Sequence, residues 1–165
     1  MINYHDSRIH CLPPEILAEV GNHLEDDESL VAATHVCHLW RTTLLSSPRL
    51  WSYLDFENEE RALVFLERSK LCPLTVDVTD ANNLSEVVRE SMSEVATRVT
   101  TLWAKHGPFL DELLGWPMPM LEDLEVTGSK HPLQDSPRHL PSLMSLAVSG
   151  FDPLRYHAPF SPLST

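Results

Sequence analysis

MLEDLEVTGS (residues 120–129) sets Leu121, Leu124 and Val126 among acids and ends in a Gly-Ser turn. The same spacing begins 22 residues earlier in RVTTLWAKHG (98–107) and 22 later in SLMSLAVSGF (142–151). Val99, Leu121 and Leu143 align, as do Leu102, Leu124 and Leu146, and then Ala104, Val126 and Val148. Pro119 and Pro141 stand two residues ahead of Leu121 and Leu143. A repeat of this length gives one strand per copy, and no copy can bury its apolar side alone. The spacing therefore predicts neighbouring parallel strands at 99–104, 121–126 and 143–148, in that order. Side chains alternate along a strand. Glu125 would then project from the opposite, exposed face beside Trp103 and Ala147, and these three are the candidate ligand-binding residues.

Leu-x-x-Leu-x-Val at a period of 22 resembles a leucine-rich repeat in an irregular form. Upstream, PLTVDVTD (73–80) alternates and is rich in β-branched residues, so it reads as a strand. Two helices flank it. ENEERALVFLERSK (57–70) places acids at its start and bases at its end, with Ala62, Phe65, Leu66 and Ser69 inward. NLSEVVRESMSEVATRV opens on a capping-box pair, Asn83 and Glu86, and carries Leu84, Val87, Val88, Met92, Val95 and Val99 as its stripe. Downstream, residues 151–165 hold Pro153, Pro159 and Pro162 without periodicity and read as an irregular tail.

The N-terminal part is helical. In LPPEILAEVGNHL (12–24) the two prolines suit a helix start, and Ile16, Leu17, Val20 and Leu24 form an apolar stripe. Asp27 or Ser29 can cap a second helical stretch, with Thr34 and His35 interrupting or kinking it. Pro48 stops that stretch, and Leu50, Trp51 and Leu54 make a further apolar patch. A unit of this size hides too little surface to be comfortable alone. Its surplus apolar residues need either the rest of the chain or a partner.

Taken together, LPPEILAEV, HL, SLVAATHVCHLWRTTLLSS and PRLW resemble an F-box over residues 9–56, and WSYLDF resembles the continuation seen in fungal F-box-like families. The resemblance implies docking on the Skp-type adaptor of a cullin–RING ubiquitin ligase. The matching adaptor-facing positions are Leu12, Pro13, Ile16, Leu17, Val20, Leu24, Leu30, Val36, Cys37, Trp40, Leu50 and Trp51, with the two tryptophans as anchors. Val36 and Cys37 also suit packing inside the unit. Gly21 departs from the family, which carries a bulky apolar residue there. Glycine lowers helix propensity and removes a contact, so Gly21→Phe is expected to strengthen docking by about 2 kcal/mol, more than about tenfold in affinity.

Composition narrows the function further. The 165 residues carry a net charge of −12, spread along the chain and without a Lys/Arg cluster. Such a chain offers nothing to a nucleic-acid backbone and is repelled by an anionic membrane. No apolar run approaches a membrane span, and MINYHDSRIH lacks the form of a signal peptide. Cys11, Cys37 and Cys72 read as free thiols of an intracellular protein, cytoplasmic or nuclear. His35, Cys37 and His38 are the nearest approach to a metal site, but their spacing is poor for zinc. No catalytic or phosphate-binding motif is present. The expectation is an α+β chain with no metal and no cofactor, and not an enzyme. It has a tail (1–8), a three-helix F-box (9–56), a helical linker with a first irregular repeat (57–98), a leucine-rich-repeat-like α/β solenoid with parallel strands (99–150) and a Pro-rich tail (151–165). The expected role is a ubiquitin-ligase substrate receptor, holding a protein substrate on its repeat surface. The alternatives are a non-ligase repeat scaffold whose F-box has decayed at Gly21 and a small metal-binding protein.

Overall fold

Pro14 and Glu15 open α1 (Pro14–Asn22), whose N-terminal end tolerates a missing amide hydrogen and favours an acid. The structure is a computed structural model and describes residues 12–24, 26–81, 84–128 and 140–149. The tails expected at 1–8 and 151–165, with Cys11 and Asn83, lie outside the described residues.

Asp26 caps α2 (Asp27–Ala33), accepting from the Ser29 backbone at 2.6 Å and from the Ser29 hydroxyl at 3.0 Å. The cap thus falls one residue before the expected Asp27. The interruption expected at Thr34 and His35 separates α2 from α3 (His38–Leu45). Thr34 turns its hydroxyl back on the Val31 carbonyl (2.7 Å), and Cys37 is fully extended. Pro48 then begins a 3-10 turn, Pro48–Trp51.

A strand follows at once. β1 (Tyr53–Asp55) occupies the stretch read only as an apolar patch, and it pairs with β2 (Leu74–Val78). Between them lies α4 (Glu59–Ser69), capped by Asn58, with Ala62, Phe65 and Ser69 buried. After β2 comes α5 (Glu86–Val95), whose cap is Ser85 rather than Asn83. Val88 and Met92 face inward there, while Val87, expected on the same stripe, is exposed. The chain continues through β3 (Val99–Lys105), α6 (Pro108–Leu114), β4 (Asp123–Thr127) and β5 (Ser145–Val148).

All five strands are parallel and lie side by side in chain order. Leu102, Leu124 and Leu146 stand in register, as do Ala104, Val126 and Val148. β3, β4 and β5 are neighbours in the order that the 22-residue spacing predicts, but β4 and β5 begin two residues later than the expected 121 and 143, so Leu121 and Leu143 precede them. The Leu102 row runs on through Val76 to Leu54, so the sheet is longer than the repeats by two strands.

One apolar cluster fills the inner side of the sheet and the space below the N-terminal helices. Leu54, Val76, Leu102 and Leu124 share it with Phe65 of α4, Val88 and Met92 of α5, and Leu110 and Leu113 of α6. Full burial of each large aliphatic side chain is worth about 1.5–3 kcal/mol. Trp51 ties the helices to the sheet. It is fully buried, donates its indole N–H to the Leu44 carbonyl (2.9 Å), and meets the Phe65 ring edge-on at 4.9 Å. The Arg68 guanidinium lies 4.5 Å from its ring centre. Sheet and core therefore cross residue 56, where a domain boundary was expected.

Arg98 joins successive turns on the same side. It donates to the Cys72 carbonyl through Nε (3.0 Å) and Nη2 (2.8 Å), and through Nη2 to the Ser69 hydroxyl (2.8 Å). The buried Ser69 hydroxyl also donates to the Leu66 carbonyl (2.7 Å), so it is satisfied both as donor and as acceptor.

Candidate functional site

Two surfaces among the described residues carry the expected site positions. The first is on the helices. At 100° per residue, Leu17, Gly21 and Leu24 of α1 and its following turn lie on one side of the helix, and Ile16 and Val20 on the adjoining side. Leu17 is fully buried and Gly21 is buried, while Ile16 is 48 % and Val20 37 % exposed. Val36, in the break between α2 and α3, is 62 % exposed. Pro13 is exposed too, and Leu12, Leu24, Cys37 and Leu50 are half-buried. Ile16 and Val20 on α1, and Val36 in the α2–α3 break, are thus turned outward.

Four of the twelve expected adaptor positions are corrected by burial. Leu17, Leu30, Trp40 and Trp51 are at most 7 % exposed and pack into the chain's own core, so none offers a side chain to a partner. The Trp40 indole N–H has no acceptor among the described residues. Gly21 is corrected as well. A Cβ at this position would lie 2.8 Å from Leu44 Cδ2 and 2.9 Å from Leu50 Cδ1. The glycine allows α1 to close on α3 rather than opening a gap in an outer stripe.

The second surface is the open face of the sheet. Trp103 pairs in register with Asp77 on one side and Glu125 on the other, and Glu125 pairs with Ala147. Trp103, Glu125 and Ala147 therefore do lie side by side, with Glu125 and Ala147 exposed and Trp103 half-buried. Thr75, Thr101, Asp123 and Ser145 form the neighbouring row, and together these residues line a groove of about 440 Å³. Sequence reasoning missed the part of this face contributed by β1 and β2. Tyr53 and Asp55 do alternate with Leu54 and Phe56, but over too short a run to mark a strand.

Tyr53 closes that end of the face. Its ring meets Trp103 at 6.0 Å, and its hydroxyl donates to Asp77 Oδ2 at 3.2 Å. Asp77 Oδ1 also accepts from the Thr79 amide (2.9 Å) and the Thr79 hydroxyl (2.6 Å). Partial burial, then the charges of Asp77 and Asp55, push the Tyr53 phenol up to about 12 from its ordinary 10.0. The folded chain thus holds a proton that the unfolded chain releases. Stability is expected to fall as pH rises from about 10 to about 12. Tyr53→Phe should flatten that decline in urea midpoints measured across the range; an unchanged slope would mean that Tyr53 is not its source.

Arg61 sits beside this end, with Nε 3.3 Å from Asp27 and Nη2 3.6 Å from Asp55. Burial holds the Asp27 carboxyl above its ordinary range, against the opposing pull of Arg61. His35, Cys37 and His38 are not gathered into a site. Among the described residues no group of three or more His, Cys, Asp or Glu side chains could hold a metal ion. Cys37 and Cys72 are unpaired thiols. No helix of the described residues is long and apolar enough to cross a membrane.

The family described as F-box-like matches residues 9–57. The chain carries an F-box-like domain there, and it spans the three N-terminal helices, the 3-10 turn and β1. No curated protein and no solved structure matches the chain.

Proposed function

We propose that the chain is a substrate receptor of a Skp–cullin–F-box ubiquitin ligase. The F-box-like segment docks on a Skp-type adaptor, and the parallel sheet, read as a short and irregular leucine-rich-repeat-like solenoid, presents its open face to a protein substrate. The chain itself catalyses nothing in this reading, needs no cofactor, and works in the cytoplasm or nucleus. The observation that carries the proposal is that the F-box-like segment keeps Ile16, Val20 and Val36 outward while Leu17 and Gly21 of the same helix pack inward. Three outward apolar residues on a segment of that family are the natural centre of a partner contact.

Calorimetry with a purified Skp-type adaptor tests it. The parent chain should bind, and Ile16→Asp and Val20→Asp should each weaken binding by at least about tenfold, because a charge would be desolvated at the contact. Both positions are well exposed, so circular dichroism and melting should stay close to the parent. If the parent fails to bind, or both variants bind as tightly, the docking reading is lost and a non-ligase scaffold takes its place.

A further inference from the structure

We propose that the open face of the sheet binds an extended, basic segment of a protein substrate, with an arginine side chain stacked on Trp103 and its guanidinium at Glu125. This names the substrate class for the receptor reading above and rests on it.

The argument starts from register. Neighbouring strands are about 4.8 Å apart, so the Glu125 side chain rises directly beside the Trp103 ring on β4, and Asp77 rises on the other side on β2. Asp123 stands in the next row of the same face. Asp77 is already engaged by Tyr53 and Thr79, so it adds charge more than free acceptors. Among the described residues neither Asp123 nor Glu125 has an ion-pair partner, while Asp55 is matched by Arg61. Lys105, further along β3, is a cation on the same face.

An indole in a row of carboxylates favours one type of guest. A guanidinium is planar, stacks on an aromatic face and bonds a carboxylate through two N–H groups at once. Lysine can do only part of this, and an acidic segment is repelled by the face and by the chain's charge of −12. The groove is lined by residues of four successive strands, β2 to β5, and this run across the sheet suits an extended segment. Crossing from β2 to β5 covers about 14 Å, the reach of about four extended residues.

The test uses the full chain and fluorescein-labelled peptides that alternate threonine with arginine, lysine or glutamate, read by anisotropy. The arginine peptide should bind, the lysine peptide should bind more weakly, and the glutamate peptide should not bind. Trp103→Thr and Glu125→Lys should each weaken the arginine peptide by about tenfold. Glu125 is exposed, so Glu125→Lys keeps the test valid should Trp103→Thr fold poorly. Equal binding by the parent and Glu125→Lys, or no binding by the parent, overturns the proposal. Adaptor capture is measured on the same preparations. Adaptor bound without the arginine peptide overturns this proposal alone. Peptide bound at Trp103 without adaptor supports the site and overturns the receptor reading.

Discussion

Replacing Trp51 by alanine is expected to cost about 4 kcal/mol of stability. The side chain is wholly buried, between the Phe65 ring and the C-terminal end of α3 at Leu44, so its removal leaves a cavity. Lost at the same time are the hydrogen bond to the Leu44 carbonyl and the ring that Arg68 covers. Chains of this size are commonly stable by about 5–15 kcal/mol, so the variant should be marginal. Trp51→Phe retains most of the apolar area and the edge contact while losing the indole N–H, and should cost about 1–2 kcal/mol. Urea midpoints report both. Adaptor calorimetry on Trp51→Phe separates the core role from an anchor role. Lower stability with unchanged affinity agrees with burial; unchanged stability with lost affinity would return Trp51 to the interface.

How far the sequence could be read depends on how many contacts decide each feature. The order of β3, β4 and β5 was legible because three copies repeat one apolar pattern, and only the observed register keeps those matching positions on one face. β1 was not legible, since three residues hold too few alternations to distinguish a strand from the end of an apolar turn. The break between α2 and α3 was visible at Thr34, whose hydroxyl bonds back to the Val31 carbonyl and so competes with the helix. Trp51 was misplaced for another reason. The F-box pattern ends near it, but what buries it is Phe65, on a helix outside that pattern. A local motif says that a tryptophan is an anchor and leaves open what it anchors.

The stripe on α1 was read as one surface because Ile16, Leu17, Val20 and Leu24 all satisfy spacings of three and four. On a helix those spacings cover a broad arc, and here the arc is divided. Leu17, Gly21 and Leu24 fall within about 60° of one another, and they turn inward; Ile16 and Val20 turn out. The candidate sheet face was legible only in its later half, Trp103, Glu125 and Ala147. Its aromatic and acidic neighbours, Tyr53 and Asp77, needed the β1–β2 pairing to be placed.

Gly21→Phe follows from that division, and its expected sign is the reverse of the one drawn from the sequence. A phenylalanine at this position would not reach a partner. Its Cβ alone would stand within 3 Å of Leu44 Cδ2 and Leu50 Cδ1, and the ring would have to enter space that Leu44, fully buried, already fills. Overpacking of this severity is expected to cost about 3 kcal/mol, far above the gain of about 1 kcal/mol from replacing glycine in a helix. Gly21→Ala should cost only about 1 kcal/mol net, because its single added carbon meets side-chain tips and the propensity gain offsets part of the clash. The mechanism can be isolated by a double-mutant cycle. Leu50→Val withdraws the half-exposed methyl groups that crowd the new carbon, so combined with Gly21→Ala it should lose less than the sum of the single variants, by about 0.5–1 kcal/mol. Urea unfolding of the four chains gives the coupling. Strict additivity, or a Gly21→Phe chain as stable as the parent and tighter on the adaptor, would put residue 21 back on the outer surface of α1.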